Sequence, residues 1–255
     1  MTFSIDNLEI FFLILVRITA FIYSAPFFSM KNVPQKVKVG LSLFFSIILF
    51  QVNMYSVIDY NGVIGFAGLI VGEALAGLII GFFANISYHI LAFAGRMVDM
   101  EIGFSMVNEF DPVSQIQSTI SVNYYSYFVM LMMIVTNLHH YMIYAIADTF
   151  KIIPLGKVNI KPHMYVLMIN FLKDYFIIGF RIILPIFAAI LVVNVILAIL
   201  AKVAPNMNMF VIGLQLKVFV GLAVFMFMAV LINVVAEFIF DHMIFMMKQA
   251  IEALL

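Results

Sequence analysis

The fold class this sequence predicts is an all-α membrane protein built from about six long, partly broken hydrophobic helices, and three observations predict it. Of 255 residues, 65% are hydrophobic and only 10% charged, whereas soluble domains carry roughly half apolar and a quarter charged residues. Apolar runs cover residues 8–28, 39–58, 63–94, 119–147, 164–201 and 209–247, and a helix needs about 20 such residues to cross a bilayer core. Small residues recur in helical register within the third run, as they do where helix backbones approach closely in membranes.

Taken in order, the N-terminal residues Met1 to Glu9 lack a basic segment and carry Asp6 and Glu9. The first run is therefore expected to stay in the mature chain rather than to be cleaved as a signal peptide. The loops after the first and fourth runs each hold three lysines, Lys31, Lys36 and Lys38, then Lys151, Lys157 and Lys161. Six simple spans put these loops on opposite sides, yet the positive-inside rule wants both in the cytoplasm. Either one run is a re-entrant hairpin, or some apolar helices pack against protein instead of lipid.

In the third run Gly65, Gly68, Gly72 and Ala76 share one helical face, and Gly77, Gly81 and Ala84 lie nearly opposite. Two such faces imply neighbours on both sides. The fifth and sixth runs exceed a bilayer thickness and must tilt, break or extend beyond it; Pro185 is the expected break in the fifth. Glu237, Asp241, Lys248 and Glu252 fall in one stripe about 60° wide near the C-terminus, a thin wet or subunit-contacting face. No repeat or Ser/Gly-rich linker divides the chain, so residues 1–255 read as a single integral membrane domain.

Several functions are excluded or unsupported. Formal net charge is zero, which suggests no nucleic-acid partner. With no cysteine there are no disulfides, thiolate metal sites or cysteine nucleophiles. His139 and His140 are adjacent and point about 100° apart on a helix, so they form no metal site by themselves. No nucleophile elbow, P-loop or dinucleotide fingerprint occurs, and no enzyme, cofactor or metal is expected.

Charges inside apolar runs, Arg17, Glu73, Lys173, Asp174, Arg181 and Lys217, each need a partner, a cavity or a position outside lipid. Asp174 and Arg181, two turns apart, could pair; Glu73 and Lys217 could form salt bridges or subunit contacts. A self-sufficient small-solute transporter using Arg17, Glu73, Asp174 and Arg181 is the alternative function these charges allow.

Residues 95–118 are the least expected stretch. They join two long apolar helices but mix Asp99, Glu101, Glu109 and Asp111 with Met97, Met100, Phe104, Met106 and Phe110. Gly103 permits a sharp turn, and Asp111-Pro112 starts another. Methionine re-packs readily around whatever enters, so such a loop could block a wide channel reversibly.

Several motifs, in this order, resemble the FliR family of flagellar export-gate proteins and its injectisome counterparts. They are Arg17; Ala25-Pro26-Phe27-Phe28; Val33 to Leu41; Glu73, Gly77 and Gly81; Gly95, Asp99, Gly103, Phe104 and Asp111-Pro112; and Lys202 to Phe210 with Gly213, Leu216 and Lys217. Asn206 stands where the family has Gln, and Gln215 where it has Pro. The resemblance implies a structural and gating subunit that assembles with FliP-type and FliQ-type subunits around a protein-conducting pore in the bacterial inner membrane, at the flagellar basal body. It implies a FliP-like part over about residues 1–200 and part of a FliQ-like hairpin over about 201–255. FlhA-type and FlhB-type components and unfolded exported proteins are the further partners implied. It places a pore plug at residues 103–117, with Gly103, Phe104, Met106, Val107, Phe110, Asp111 and Pro112 as its contacts and hinges. Subunit contacts are expected at Glu73, Gly77, Gly81, Pro205, Asn208, Phe210, Gly213 and Lys217.

Overall fold

The computed structural model describes residues 5–30, 32–52, 58, 60–104, 109–111, 116–118 and 120–255. It is all-α apart from one short ribbon: α1 (Ile5–Ser24), α2 (Gln35–Val52), α3 (Gly62–Ile102), β1 (Glu109–Asp111), β2 (Ile116–Ser118), α4 (Ile120–Val135), α5 (Leu138–Ile152), α6 (Met164–Val203), α7 (Met209–Ala229) and α8 (Ile232–Glu252). Among the described residues five helices, α1, α2, α3, α6 and α7, are long and apolar enough to cross a membrane, or six spans if α4 and α5 form one broken span.

The fourth and sixth apolar runs are each broken in two. Asn137 takes a left-handed φ of 56° between α4 and α5, a conformation that asparagine tolerates better than most residues. Val230 and Leu231 turn between α7 and α8. Two expected boundaries are corrected. Pro185 does not break α6, which runs through it; the lost helical hydrogen bond is a local cost that a long apolar helix absorbs. Residues 95–102 are not loop but the last turns of α3, because Val98 and Ile102 are buried one turn apart and Asp99 has its own partner.

Contacts divide the chain into two compact units. The first comprises Met1–Tyr88, Ile134–Phe171 and Phe240–Leu255, the second His89–Met133 and Leu172–Ile239.

In the first unit α1 buries Leu13, Ile14, Ile18 and Phe21 at helical spacing. It meets α3 where the latter has no side chains: a Cβ at Gly77 would stand 2.9 Å from that of Ala20 and 3.0 Å from the Phe21 nitrogen, and one at Gly81 would stand 3.0 Å from the Ala25 nitrogen. The Gly77–Gly81 face is therefore a backbone contact within the chain. Gly68, on the other small-residue face, has nothing within 4 Å.

A buried ion pair spans this contact. Arg17 Nε donates to Glu73 Oε2 at 2.5 Å, and both side chains are fully buried. Arg17 Nη1 donates to the Ile153 carbonyl at 3.1 Å and to Thr149 Oγ1 at 3.3 Å, while the guanidinium carbon lies 4.4 Å from the Phe150 ring centre. The second oxygen of Glu73 accepts the Gly156 N–H at 2.9 Å. Gly156 turns with φ of 75°, which glycine adopts without strain. Four segments, α1, α3, α5 and the turn after α5, thus share one charge network.

α2 inverts the rule for proteins in water. Its buried residues are Lys38, Ser42 and Ser46, while Val39, Phe44, Ile47 and Ile48 are 40–58% exposed. The hydroxyls of Ser42 and Ser46 donate to carbonyls four residues back, and Lys38 Nζ donates to the Ser29 carbonyl at 2.9 Å. An apolar outside over a polar, self-satisfied inside suits an apolar surround.

In the second unit Val98 and Ile102 of α3 cluster with Ile183, Ile186 and Ile190 of α6, and Val218, Val224 and Phe225 of α7 pack against them. Gly221 of α7 makes room for Ile102; a Cβ there would come 2.5 Å from its side chain. Of the two readings open for Asp174 and Arg181, pairing is not seen: no ion pair joins them among the described residues. Seven residues of helix separate them by about 10 Å along the axis.

Arg17→Met should lower the unfolding free energy by about 3–5 kcal/mol, because it strands a buried carboxylate. Arg17→Met combined with Glu73→Gln should recover more than half, since the amide oxygen still accepts the Gly156 N–H. Unfolding in mixed detergent micelles measures both; a double variant no more stable than the single would overturn the assignment.

Candidate functional site

The connection from α3 to α4 is the segment the sequence singles out, and described residues of the second unit form its base. Its first foot is Gly103, whose N–H closes the last turn of α3 on the Asp99 carbonyl at 3.1 Å. Its φ of 97° lies where glycine is the residue without steric cost, so the chain leaves the helix sharply. Phe104 follows and packs, half-buried, against the Val98–Ile102–Ile183 cluster.

The second foot is the N-terminus of α4. The first N–H groups of a helix have no partner within it, and here a side chain from another helix supplies one. Asp99, fully buried, accepts the Ser121 N–H at 3.1 Å and the Ser121 hydroxyl at 2.6 Å. A carboxylate at a helix N-terminus also meets the favourable end of the helix dipole. Beside this junction Gly95 lets α3 and α4 touch: a Cβ there would lie 2.9 Å from the Val122 backbone. Both feet are thereby fastened within one turn of α3.

Between them β1 and β2 pair antiparallel, with Glu109 opposite Ser118, Phe110 opposite Gln117 and Asp111 opposite Ile116. The connection thus contains a hairpin. Its antiparallel register places Phe110 and Asp111 in β1; Met106, Val107 and Pro112, the other expected plug positions, lie outside the described residues.

The expected contact residues fall into two groups. Glu73, Gly77 and Gly81 are buried against α1 and the turn after α5. The described contacts of these three are with segments of the same chain. Pro205, Asn208 and Phe210 are exposed, and Phe210 is 71% accessible. Asn208 caps α7, its side-chain oxygen accepting the Phe210 and Val211 N–H groups at 3.2 and 3.5 Å. Gly213 is buried with Leu197 of α6 as its neighbour, and Lys217 is half-buried. Gln215, in place of the family's Pro, sits inside an unbroken α7.

Sequence reasoning missed Ser121, Thr149 and the Gly156 N–H. Asp99 carried the available signal, an acid inside an apolar helical register four residues before a glycine. The partner's distance in sequence hid the rest. Among the described residues no group of three or more His, Asp or Glu side chains is placed to hold a metal ion.

A polytopic helical membrane chain with a hairpin fastened between two of its helices is the class this architecture defines. Residues 8–243 match the family of bacterial export proteins, family 1, and the chain belongs to that family. It is 29% identical over 244 residues to the flagellar biosynthetic protein FliR of Bacillus subtilis (strain 168), covering 93% of this chain and 92% of that one. It is 26% identical to the FliR of Escherichia coli (strain K12), over 91% of this chain and 87% of that one. The FliR of Aquifex aeolicus (strain VF5) is 24% identical, over 86% and 84%.

Asp99→Ala should leave the Ser121 N–H and hydroxyl without their acceptor at a cost of about 1–3 kcal/mol. Ser121→Ala should cost less because the N–H bond remains. Amide hydrogen exchange over the first turn of α4 reads this directly. Unchanged protection in Asp99→Ala would show that the carboxylate does not hold the foot of α4.

Proposed function

We propose that this protein is a non-enzymatic structural and gating subunit of the flagellar protein export apparatus, held in the bacterial inner membrane. It assembles with FliP-type and FliQ-type subunits around a pore, next to FlhA-type and FlhB-type components, and unfolded flagellar proteins pass through. The observation that carries the reading is the match of nearly the whole chain to bacterial export proteins and to relatives named FliR. The hairpin on its fastened base gives a physical reason for the gating part.

In this reading residues 103–117 plug the closed pore. A plug must be held firmly enough to stop ions and must still leave when cargo arrives. Gly103 supplies a joint and Asp99 the fastening; the hairpin can then move as a piece while α3 and α4 keep their packing. Phe104, Met106, Val107 and Phe110 provide the apolar seal, with Asp111 and Pro112 forming the return. The exposed residues Pro205, Asn208 and Phe210, with Gly213 and Lys217 on the same segment, meet FliQ-type neighbours. The FliP-like and FliQ-like parts, about 1–200 and 201–255, are the corresponding division of labour.

The lysine conflict also finds an explanation. A run broken at Asn137 can return to the side it entered, which leaves two spans instead of three between the two lysine-bearing loops and puts both in the cytoplasm. The transporter alternative is weaker for a specific reason: Arg17 and Glu73 are occupied with each other and with Ile153, Thr149 and Gly156, so neither is available to a coupling ion.

Removing residues 104–110 from the chromosomal copy should make membranes with an assembled apparatus leak ions and small molecules. Dye and ion uptake in these cells is the measurement. Unchanged permeability in a mutant whose subunit still copurifies with its neighbours would sink the plug.

A further inference from the structure

The first unit holds a recess of about 380 Å³ walled by α1, α2 and α5, with Ile18, Ile22, Phe45, Leu49, Ile143 and Ala147 among its lining. None of the lining residues is acidic, and the polar side chains among them are His139, His140 and Tyr144. His140 and Tyr144 stand one turn apart on α5, are exposed, and make no side-chain hydrogen bond among the described residues. Ile48, 40% exposed, forms part of the wall, so the recess opens on the same apolar surround that α2 faces.

The recess is graded along α5. His139 and His140 lie in the first turn of the helix and Ala147 two turns further on, about 12 Å along the axis. At the imidazole end the Phe27 ring stacks on His139 with centres 5.4 Å apart. This end therefore adjoins the turn after α1 and the lysine-bearing segment that follows it, where Lys36 is exposed. Asn137, the cap residue of α5, gives the helix no side-chain bond, which leaves the positive end of the helix dipole open to an anion. Past Tyr144 the lining contributed by α5 is Ile146 and Ala147, with no polar side chain.

We infer that this recess takes one acyl chain of an anionic phospholipid, whose phosphate is held at His139, His140 and Tyr144. Size selects among apolar occupants. A helix about 10 Å across and about 12 Å long displaces roughly 900 Å³, more than twice what the recess offers, whereas an extended hydrocarbon chain is thin enough to enter. Water finds few partners past Tyr144, and an unfilled void forfeits contacts on every wall. Charge selects the head. Imidazole N–H and phenol O–H groups donate to phosphate oxygens, and basic side chains at the membrane surface draw the anionic lipids of the cytoplasmic leaflet. The inference involves neither the plug nor a neighbouring subunit.

The test uses the full chain, with whatever copurifies, in vesicles of phosphatidylethanolamine with a minor share of phosphatidylglycerol that carries a diazirine in one acyl chain. After irradiation, labels at Ile143 and Ala147 should exceed those at Phe44, 58% exposed outside the recess, at least about fivefold. Ala147→Trp, which fills the recess, should lower the labels there about tenfold. His140→Ala combined with Tyr144→Phe changes only exposed positions. It should lower the labels about fivefold and abolish the preference over the same probe with a phosphatidylcholine head; His140→Lys should keep that preference. The rim variants decide the matter on their own if Ala147→Trp does not accumulate. Labels spread evenly over outward faces, or none in the recess, overturn the inference. So do labels indifferent to Ala147→Trp, equal labelling by the two heads, and a preference that survives the paired rim change.

Discussion

A single buried arginine sets the terms for the first unit. Arg17 is surrounded by apolar side chains of α1, and a guanidinium there is tolerable only with its charge answered at short range. Glu73 answers it, and every remaining geometric choice in the neighbourhood follows. For the two side chains to meet, the α1 and α3 backbones must come close, so the facing positions one and two turns beyond Glu73 are Gly77 and Gly81. For the second carboxylate oxygen to be satisfied, the chain after α5 must present an N–H, so it turns at Gly156. For the guanidinium to find further acceptors, α5 must end where the Ile153 carbonyl and Thr149 hydroxyl can reach it. The network contributes specificity more than net stability: it offsets the desolvation of its own charges, but it penalises any arrangement in which these segments are apart.

The second unit solves a related problem with one carboxylate and no arginine. Asp99 is anchored by a helix N-terminus and a hydroxyl, so its charge is met by dipoles instead of a counter-ion. Both devices put a charged residue where lipid alone would reject it, and both join segments that are distant in sequence. Their polar parts face inward while large apolar side chains face outward, as on α2, which is the arrangement an apolar solvent selects.

Much of the fold was legible because the apolar solvent writes itself plainly into composition and run length. The six runs overlap the eight helices found among the described residues, and the small-residue face at Gly77 and Gly81 is where two backbones touch. Boundaries were harder. Asn137 breaks a run by adopting a left-handed conformation that many residues avoid, while Pro185, the obvious breaker, does not break its helix. Residues 95–102 read as loop because their charges implied water; Asp99 is instead satisfied within protein, a fact that depends on Ser121 and not on any local pattern. For the candidate site, Gly103 and Asp99 were legible from residue type, but their joint role was not, since a hydrogen bond between residues separated by a hairpin leaves no periodic trace. Glu73 was legible as a charge in need of a partner, and the choice of Arg17 over another subunit came only with the packing of α1 on α3.

The fastening at Asp99 has a consequence for how this chain can vary. Because the carboxylate ties the start of α4 back to the final turns of α3, the intervening hairpin begins and ends at nearly one point, and the entropy of closing such a loop grows only slowly with its length. Residues can then be added to or removed from the hairpin without dragging the two helices out of register. The length of this connection is therefore a freedom that the helical frame on either side of it does not have to share.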